Sequence, residues 1–401
     1  MGLNSTPSSD RVHIGIFGRR NAGKSSVING ITGQNLAIVS DVKGTTTDPV
    51  YKAMELLPVG PVMMIDTPGL DDEGELGLLR IKKGYQVLNK TDVAVLVVDV
   101  ELGITSLEEE LISRFKDKEI PYIVVMNKAD KLTEESRIEL EKNCEENVIY
   151  VSTINKYHIW ELKELIASRA VEEEKKIKLV GDIINPSDYI ILVVPIDKAA
   201  PKGRLILPQQ QTIRDIIDSN ARAIVIKEDQ LVDTLESLGV KPKLVITDSQ
   251  VFDRVSKDTP RDIPLTSFSI LFARYKGALG ALVNGVQALN NLKDGATVLI
   301  SEGCTHHKQC DDIGEYKIPN WIQNKTKKTL KFEHTTGVEF PDDLSKYALI
   351  VHCGGCMLNE REMKYRIKCA KDQGIPITNY GVLIAYMQGI LTRTIEPFEL
   401  L

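Results

Sequence analysis

The sequence predicts an α/β protein of three consecutive domains. Short β-branched runs alternate with helical stretches along the chain, and 401 residues exceed what one hydrophobic core organises. We expect a doubly wound α/β domain over residues 1–172, a smaller α/β domain over 180–262 and a third α/β domain over 265–401. The charged stretch 171–178 lacks an apolar stripe and suits a connection between domains. No internal repeat of fixed period is visible.

The composition narrows the classes of partner. The formal net charge of −6 comes from interleaved acids and bases, so a broad surface for nucleic acid or anionic lipid is not expected. No run approaches the roughly 20 apolar residues of a membrane helix, and the polar start lacks the apolar core of a secretory signal. We therefore expect a cytoplasmic protein. Six cysteines, two of them in one C-x-x-C, indicate metal or redox chemistry in a reducing compartment.

The first domain begins with a phosphate-binding motif. Strand-like Val12–Phe17 leads into Gly18–Ser25, which satisfies G-x-x-x-x-G-K-S/T and precedes a helical pattern. In such a loop the backbone N–H groups surround the phosphates, Lys24 reaches the β and γ oxygens, and the Ser25 hydroxyl ligates Mg²⁺. The residues expected to bind nucleotide here are Gly18, Asn21, Ala22, Gly23, Lys24, Ser25 and Ser26.

Two further motifs predict guanine nucleotide and Mg²⁺. Asp66-Thr67-Pro68-Gly69 follows a strand, which puts Asp66 where a carboxylate holds Mg²⁺ through water and Gly69 where an N–H meets the γ-phosphate. Asn127-Lys128-Ala129-Asp130 matches N-K-x-D, in which Asp130 accepts two hydrogen bonds that guanine offers and adenine does not. The backbone near Ser152 and Thr153 is expected to contact guanine as well, although the usual alanine of S-A-K is absent.

The segment between these motifs resembles one switch I subgroup. Gly44–Asp48 is similar to the G-T-T-x-D of tRNA-modification and ribosome-assembly GTPases, so one of Thr45, Thr46 and Thr47, here assigned as Thr46, should close on Mg²⁺. Leu70 stands where Ras-type enzymes place the glutamine that orients water. In the resembling subgroup a P-loop asparagine helps bind K⁺, and Asn21 occupies that position, unless it only favours a turn. Hydrolysis is therefore expected to be K⁺-stimulated, and the residues expected to act in it are Asn21, Lys24, Thr46, Asp66 and Gly69.

A cysteine and histidine group marks the third domain. Cys304 and His306 follow the strand-like run 297–301, and His352-Cys353-Gly354-Gly355-Cys356 follows the run 349–351. Carboxyl ends of parallel strands share one edge of a sheet, so the two segments can converge on one metal. Three thiolates, from Cys304, Cys353 and Cys356, fit a [4Fe–4S] cluster with one iron held differently.

Several alternatives stay open at this site. His306 or His352 would ligate the fourth iron or hydrogen-bond behind a ligand, and the carboxylates of Glu302, Asp311 and Asp312 are equally available. A Cys₃His zinc site fits the same ligand count, and a thioredoxin-type pair would leave Cys304 unexplained.

The combination of the two halves is more specific than either alone. A GTPase of this subgroup followed by C-x-H and H-C-x-x-C resembles the hydrogenase-maturation GTPases along essentially the whole chain. The resemblance implies an N-terminal P-loop GTPase domain, a central dimerisation domain and a C-terminal [4Fe–4S] cluster-binding domain. It also implies a carrier of the transient diiron precursor of the H-cluster, which radical-SAM maturases assemble and apo-[FeFe]-hydrogenase receives. GTP hydrolysis would act as a switch in a homodimer or tetramer.

A second reading comes from another functional class. A ribosome- or tRNA-associated GTPase with a structural Cys₃His zinc domain would use the same motifs, but no basic stripe for RNA is visible. A structural protein with a vestigial GTPase is disfavoured by the intact Lys24, Ser25, Asp66 and Asp130.

Overall fold

The fold is given by a computed structural model that describes most of the chain in two units. The units are residues 1–174 and 175–401. Within the described ranges, no helix is long and apolar enough to cross a membrane. The described residues are 6–33, 48–69, 75–170, 178–196, 205–277, 279–303, 313–337 and 339–398.

The first unit is a doubly wound α/β domain, as the sequence predicts. Its six-stranded sheet has the order β2-β3-β1-β4-β5-β6, and all neighbours are parallel except β2 and β3. The strands are β1 (Val12–Phe17), β2 (Val50–Leu56), β3 (Gly60–Asp66), β4 (Val93–Asp99), β5 (Tyr122–Asn127) and β6 (Val148–Tyr150). The helices are α1 (Lys24–Thr32), α2 (Glu75–Leu88), α3 (Ser106–Asp117), α4 (Glu134–Lys142) and α5 (Ile159–Ala170).

The buried strands explain why this sheet is covered on both faces. In β4, Val93–Val98 is buried without interruption, which is typical of a parallel strand with helices on each side. One core cluster contains Val95 with residues of α1 and α5, and the other contains Leu96 with residues of α3. The carboxyl ends of β1, β3 and β5 carry the three nucleotide motifs to one edge of the sheet.

The second unit begins with a small parallel sheet of four strands. Its order is β10-β9-β7-β8. The strands are β7 (Tyr189–Val193), β8 (Arg222–Ile226), β9 (Leu244–Thr247) and β10 (Leu265–Ser267). The helices are α6 (Leu207–Asp218), α7 (Leu231–Ser237), α8 (Phe252–Asp258) and α9 (Phe268–Tyr275).

A second four-stranded parallel sheet follows in the same unit. Its order is β12-β11-β13-β14. The strands are β11 (Thr297–Glu302), β12 (Lys331–Thr336), β13 (Tyr347–His352) and β14 (Ile377–Asn379). The helices are α10 (Leu279–Val286), α11 (Ile318–Thr326), α12 (Glu360–Asp372), α13 (Tyr380–Met387) and α14 (Leu391–Ile395), with a π-helical turn at Ile313–Lys317.

The boundary between these two sheets lies further along the chain than residue 262. The turn 259–264 leads to β10, which pairs with β9 and completes the first of the two sheets, so residue 265 does not begin a new domain. We propose a boundary between Tyr275 and Leu279, because Phe268 and Leu271 of α9 still pack on the sheet formed by β7 to β10.

The two sheets repeat one topology that the sequence does not reveal as a periodic pattern. In each, the first strand lies between the second and the third, and the fourth lies outside the third. The segments Pro264–Phe268 and Pro376–Tyr380, PLTSF and PITNY, occupy equivalent places. Helices α9 and α13 pack together, and a Cβ at Gly381 would lie 2.5 Å from that of Ser269. Because only short segments match, the repeat is visible in the fold alone.

Candidate nucleotide and thiol sites

The phosphate loop has the backbone that its motif predicts. Gly18 and Gly23 have φ angles of 137° and 95°, and Asn21 has a φ of 59°. A Cβ at Gly18 would lie 2.2 Å from the Val97 carbonyl oxygen, so only glycine fits there. Asn21 is exposed and tolerates the left-handed conformation, as asparagine does. The loop therefore turns tightly into α1, with Ala22 buried beneath it.

The charged groups of the loop converge on its mouth. The buried Lys24 ammonium donates to the carbonyl oxygens of Gly18 at 2.9 Å and Arg19 at 2.7 Å. The Ser25 hydroxyl donates to Asp66 Oδ2 at 3.2 Å. Asp66 Oδ1 is buried and has no hydrogen-bond partner among the described residues. A carboxylate oxygen left open beside a serine hydroxyl fits the oxygen ligands that Mg²⁺ takes.

Burial raises the pKa of Asp66, while the Lys24 charge and the Ser25 hydrogen bond oppose this rise. A divalent cation would act in the same direction as Lys24, because positive charge favours the ionised carboxyl group. The electrostatics of the site therefore also fit a cation at Asp66.

The two predicted guanine motifs lie side by side, one at the end of β5 and the other after β6. Asn127 Nδ2 donates to the Ala22 carbonyl oxygen at 2.9 Å, which ties β5 to the phosphate loop. Asp130 Oδ1 accepts a hydrogen bond from the buried Ser152 hydroxyl at 2.5 Å. Lys128 Nζ lies 2.6 Å from Asp99 Oδ2. Asp130 and Ser152 are thus brought together, as expected of residues that frame one base.

Part of the predicted site lies outside the described residues, namely Thr45, Thr46, Thr47 and Leu70. Gly69 is described and follows β3, while Ser26 and Thr153 lie in and beside α1, half-buried. The sequence prediction missed one support. Arg19 Nε donates to the buried Glu108 at 2.8 Å, so the loop is anchored to the first turn of α3. The capping pattern Thr105-x-x-Glu108 was the available signal.

The thiol site forms where β11 and β13 end side by side. Ser301 pairs with His352 across these strands. Cys353 Sγ accepts hydrogen bonds from the backbone N–H groups of Gly303 at 3.1 Å and Gly355 at 3.3 Å. The two sequence segments therefore converge, as the strand-end argument predicts. Cys304 and His306 lie outside the described residues, and within the described part of the chain no three metal-ligating side chains form a group.

Opposing influences act on the ionisation of the two described thiols. Burial raises the pKa of Cys353, and the N–H groups of Gly303 and Gly355 oppose the rise by stabilising the thiolate. Burial also raises the pKa of Cys356, and the positive charge of Lys276 opposes it. The donor chemistry thus fits a group bound by thiolates.

His352 lies behind the loop with both ring nitrogens engaged. Nε2 is 3.0 Å from Arg366 Nη1, and Nδ1 is 2.8 Å from the Cys353 carbonyl oxygen. A guanidinium group only donates, so Nε2 accepts and the Nδ1 proton points to Cys353. Burial, reinforced by the Arg366 charge, lowers the pKa of His352 to about 3, so the ring is neutral. In this arrangement His352 supports the cysteine loop from the interior.

A buried arginine completes this support, and sequence reasoning missed it. Arg366 of α12 is 0% exposed. Its guanidinium donates to Glu362 Oε1 at 2.8 Å, to Ser301 Oγ at 3.3 Å and to the Gly337 carbonyl oxygen at 2.7 Å. The only local signal was the i,i+4 pair of Glu362 and Arg366, which is common on exposed helices. Nearby, the buried Glu302 accepts a hydrogen bond from the Tyr380 hydroxyl at 3.1 Å.

Three family models match the chain in succession. Residues 13–128 match a domain described as a 50S ribosome-binding GTPase, so the first unit contains a GTPase domain. Residues 179–277 match the hydrogen maturase F dimerization domain, and residues 280–397 match the hydrogen maturase F tetramerization domain. The two hydrogen maturase F models together cover more than half of the chain.

Curated relatives match the GTPase part. GTPase Der of Chlamydia abortus is 36% identical over 162 residues, 40% of this chain and 34% of the relative. The tRNA modification GTPase MnmE of Nitrosomonas europaea is 32% identical over 145 residues, 36% of this chain and 31% of the relative. The chain thus spans about a third of the length of these relatives.

Solved structures resemble the chain weakly. Era in complex with MgGDPNP and part of 16S ribosomal RNA is 19% identical with a TM-score of 0.36, covering 54% of this chain and 93% of that one. The consecutive dimerization and tetramerization domains behind a GTPase domain decide the family: the chain belongs to the hydrogen maturase F family.

Proposed function

We propose that this protein is a GTP-hydrolysing scaffold that binds a [4Fe–4S] cluster, carries the diiron precursor of the H-cluster and delivers it to apo-[FeFe]-hydrogenase. Radical-SAM maturases would supply the precursor. The observation that carries the proposal is the Cys353 thiol, held within a hydrogen maturase F domain by the N–H of Gly303 at the end of β11 and by that of Gly355 in its own loop.

The nucleotide site supports GTP and Mg²⁺ as its ligands. Lys24 would bind the β and γ oxygens, Ser25 and Asp66 would hold Mg²⁺, and Asp130 would select guanine. Ser25 and Asp66 already lie within hydrogen-bond distance, so little rearrangement is needed to coordinate a cation. Hydrolysis would change the segments 41–50 and 66–75 and thereby alter partner contacts.

We also propose that K⁺ accelerates hydrolysis. Asn21 stands exposed at the tip of the phosphate loop with its left-handed backbone, where its side-chain oxygen is available to a cation. The hydrolysis rate should be higher in potassium than in sodium at matched ionic strength, and Asn21→Ala should remove the difference. Equal rates in both salts would rule out this role for Asn21.

The cysteine ligands would be Cys304, Cys353 and Cys356. When bound, a cluster with three thiolates supplies one iron that another ligand can occupy. His352 would position Cys353 through its carbonyl group, because Arg366 and Cys353 already engage both ring nitrogens. Glu302, His306, Asp311 and Asp312 remain the candidates for the fourth position. The dimerization and tetramerization domains support an oligomer in which these sites are repeated.

Anaerobic purification followed by metal analysis and EPR spectroscopy tests the proposal. We expect about four irons and four sulfides per chain at full occupancy and the EPR signal of a reduced [4Fe–4S] cluster. The same preparation should restore activity to apo-hydrogenase once loaded by the maturases. Stoichiometric zinc without sulfide would instead support the ribosome- or tRNA-associated GTPase with a structural zinc domain.

A further inference from the structure

Lys276 links the middle sheet to the loop that carries Cys353 and Cys356, here called the thiol loop (residues 353–358). It directly follows α9, the last helix of the middle sheet. Its ammonium donates to the carbonyl oxygen of Gly355 and to that of Leu358 at 2.8 Å. The residue is only 4% exposed. A side chain outside the C-terminal sheet thus holds both halves of the loop.

The two contacts fix a turn with little freedom of its own. Gly355 has a φ of 60°, and a Cβ there would lie 2.7 Å from the Met363 sulfur, so the loop passes close to α12. Hydrogen bonds from a charged donor to the carbonyl groups at positions 355 and 358 hold the chain on each side of Cys356. The direction of the Cys356 thiol therefore depends on Lys276.

The charge of Lys276 has a second consequence. Burying an ammonium group is costly unless hydrogen bonds or nearby negative charge compensate for it. Thiolates and the cluster that they bind carry net negative charge, and a buried cation at the same loop would offset it. Lys276 thus supplies both hydrogen-bond donors for the carbonyl groups and a positive charge, which suits an anionic group bound in this loop.

Lys364 provides a matched lysine close by. Its stem passes Gly277, where a Cβ would lie 3.6 Å from the Lys364 Cε. Its ammonium pairs with Glu360 at 2.6 Å on the surface, and its side chain is 59% exposed. The two lysines lie close together in space, but of the two only Lys276 reaches the thiol loop.

We propose that Lys276 is a positioning residue of the thiol site, holding the loop in its binding shape from the middle domain and placing a positive charge beside the bound group. The part that concerns the bound group rests on the proposed function. The part that concerns the loop does not.

Hydrogen exchange on the iron-free, full-length protein tests the loop. In Lys276→Met, the amides of residues 354–358 should exchange at least about tenfold faster than in the unaltered protein, because the loop opens locally. Lys364→Met should leave them unchanged. The amides of β9 and β13 report whether the sheets remain folded. Unchanged exchange in a folded Lys276→Met variant would overturn the proposal, and if that variant unfolds, Lys276→Gln decides by the same comparison.

Redox titration of the reconstituted cluster, followed by EPR, tests the charge. Loss of a buried cation should shift the midpoint potential of the cluster to more negative values in Lys276→Met. Lys276→Arg keeps the charge and should have the potential of the unaltered protein, and so should Lys364→Met. An unshifted potential in Lys276→Met would overturn the electrostatic role. Bound zinc in the unaltered protein would overturn the proposed function and the charge role with it, and the exchange data would then decide the loop role alone.

Discussion

The middle and C-terminal sheets share one strand order but carry different chemistry at equivalent turns. In the middle sheet, the Asp248 N–H donates to the Val193 carbonyl oxygen, and its Oδ1 accepts a hydrogen bond from the Gln250 N–H at 3.0 Å. In the C-terminal sheet, the Cys353 N–H donates to the Ser301 carbonyl oxygen at 2.9 Å.

The side chains of the two turns also correspond. Cys353 Sγ accepts from the N–H two residues later, as Asp248 Oδ1 does in its own turn. A carboxylate in one sheet and a thiol in the other thus cap equivalent turns. The fold supplies a turn whose side chain points back at backbone donors, and the residue placed there decides whether the turn presents a carboxylate or a thiol.

The largest expected difference between the two sheets is in iron content after the capping side chain is removed. Cys353→Ala should abolish iron and sulfide binding, because two thiolates are too few anchors for a cluster. Asp248→Ala should leave iron content unchanged, since its turn in the middle sheet carries no cysteine. Iron and sulfide assays on both variants, with GTP hydrolysis as a control for the first unit, make the comparison. Stoichiometric iron in the Cys353→Ala variant would contradict it.

The next effect concerns the buried ion pair of Arg366 and Glu362 in the C-terminal sheet. Arg366→Met should destabilise the second unit by about 3–5 kcal/mol, because it leaves the Glu362 carboxylate buried without its partner. Lys364→Met, which breaks an exposed pair, should cost less than about 1 kcal/mol.

Denaturant unfolding, followed by a probe specific to the second unit, measures both free energies. The double variant Arg366→Met with Glu362→Leu should recover part of the loss, since no uncompensated charge then remains. If Arg366→Met and Lys364→Met lower the unfolding free energy by the same amount, the buried pair of Arg366 and Glu362 matters no more than an exposed one.

The smallest expected effect concerns the residues that cap the helix after the last strand of each sheet. Ser267 accepts a hydrogen bond from the Ile270 N–H at 3.3 Å, and Asn379 accepts one from the Val382 N–H at 2.8 Å. Replacing either by alanine should cost about 1 kcal/mol of unfolding free energy, with the larger loss at Asn379, whose bond is shorter. Replacing the same residues by glycine should lower the unfolding free energy by less than alanine does. A negligible loss at one position alone would show that the caps are not equivalent.

Local, contiguous features were predictable from the sequence. The phosphate loop, Asp66 and the Asn127–Asp130 motif each lie within a few residues, and their positions at strand ends follow from the alternation of strands and helices. The approach of the Cys353 turn to the end of β11 was also predictable, because parallel strands bring their carboxyl ends together.

Contacts between distant segments were not predictable. Arg366 reaches Ser301, Gly337 and His352, which lie 65, 29 and 14 residues away, and no sequence period marks such a set. Lys276 reads as an ordinary lysine after a helix. The strand Leu265–Ser267 has only three residues, too few to show a period, so the sequence does not reveal that it pairs with β9.

The contact between Ser269 and Gly381 also describes how the two sheets of the second unit meet. These residues hold equivalent places in α9 and α13, and equivalent residues meet each other where a twofold axis relates two identical subunits. The middle and C-terminal sheets therefore meet at these helices as two copies of one subunit would in a symmetric dimer, although both belong to one chain.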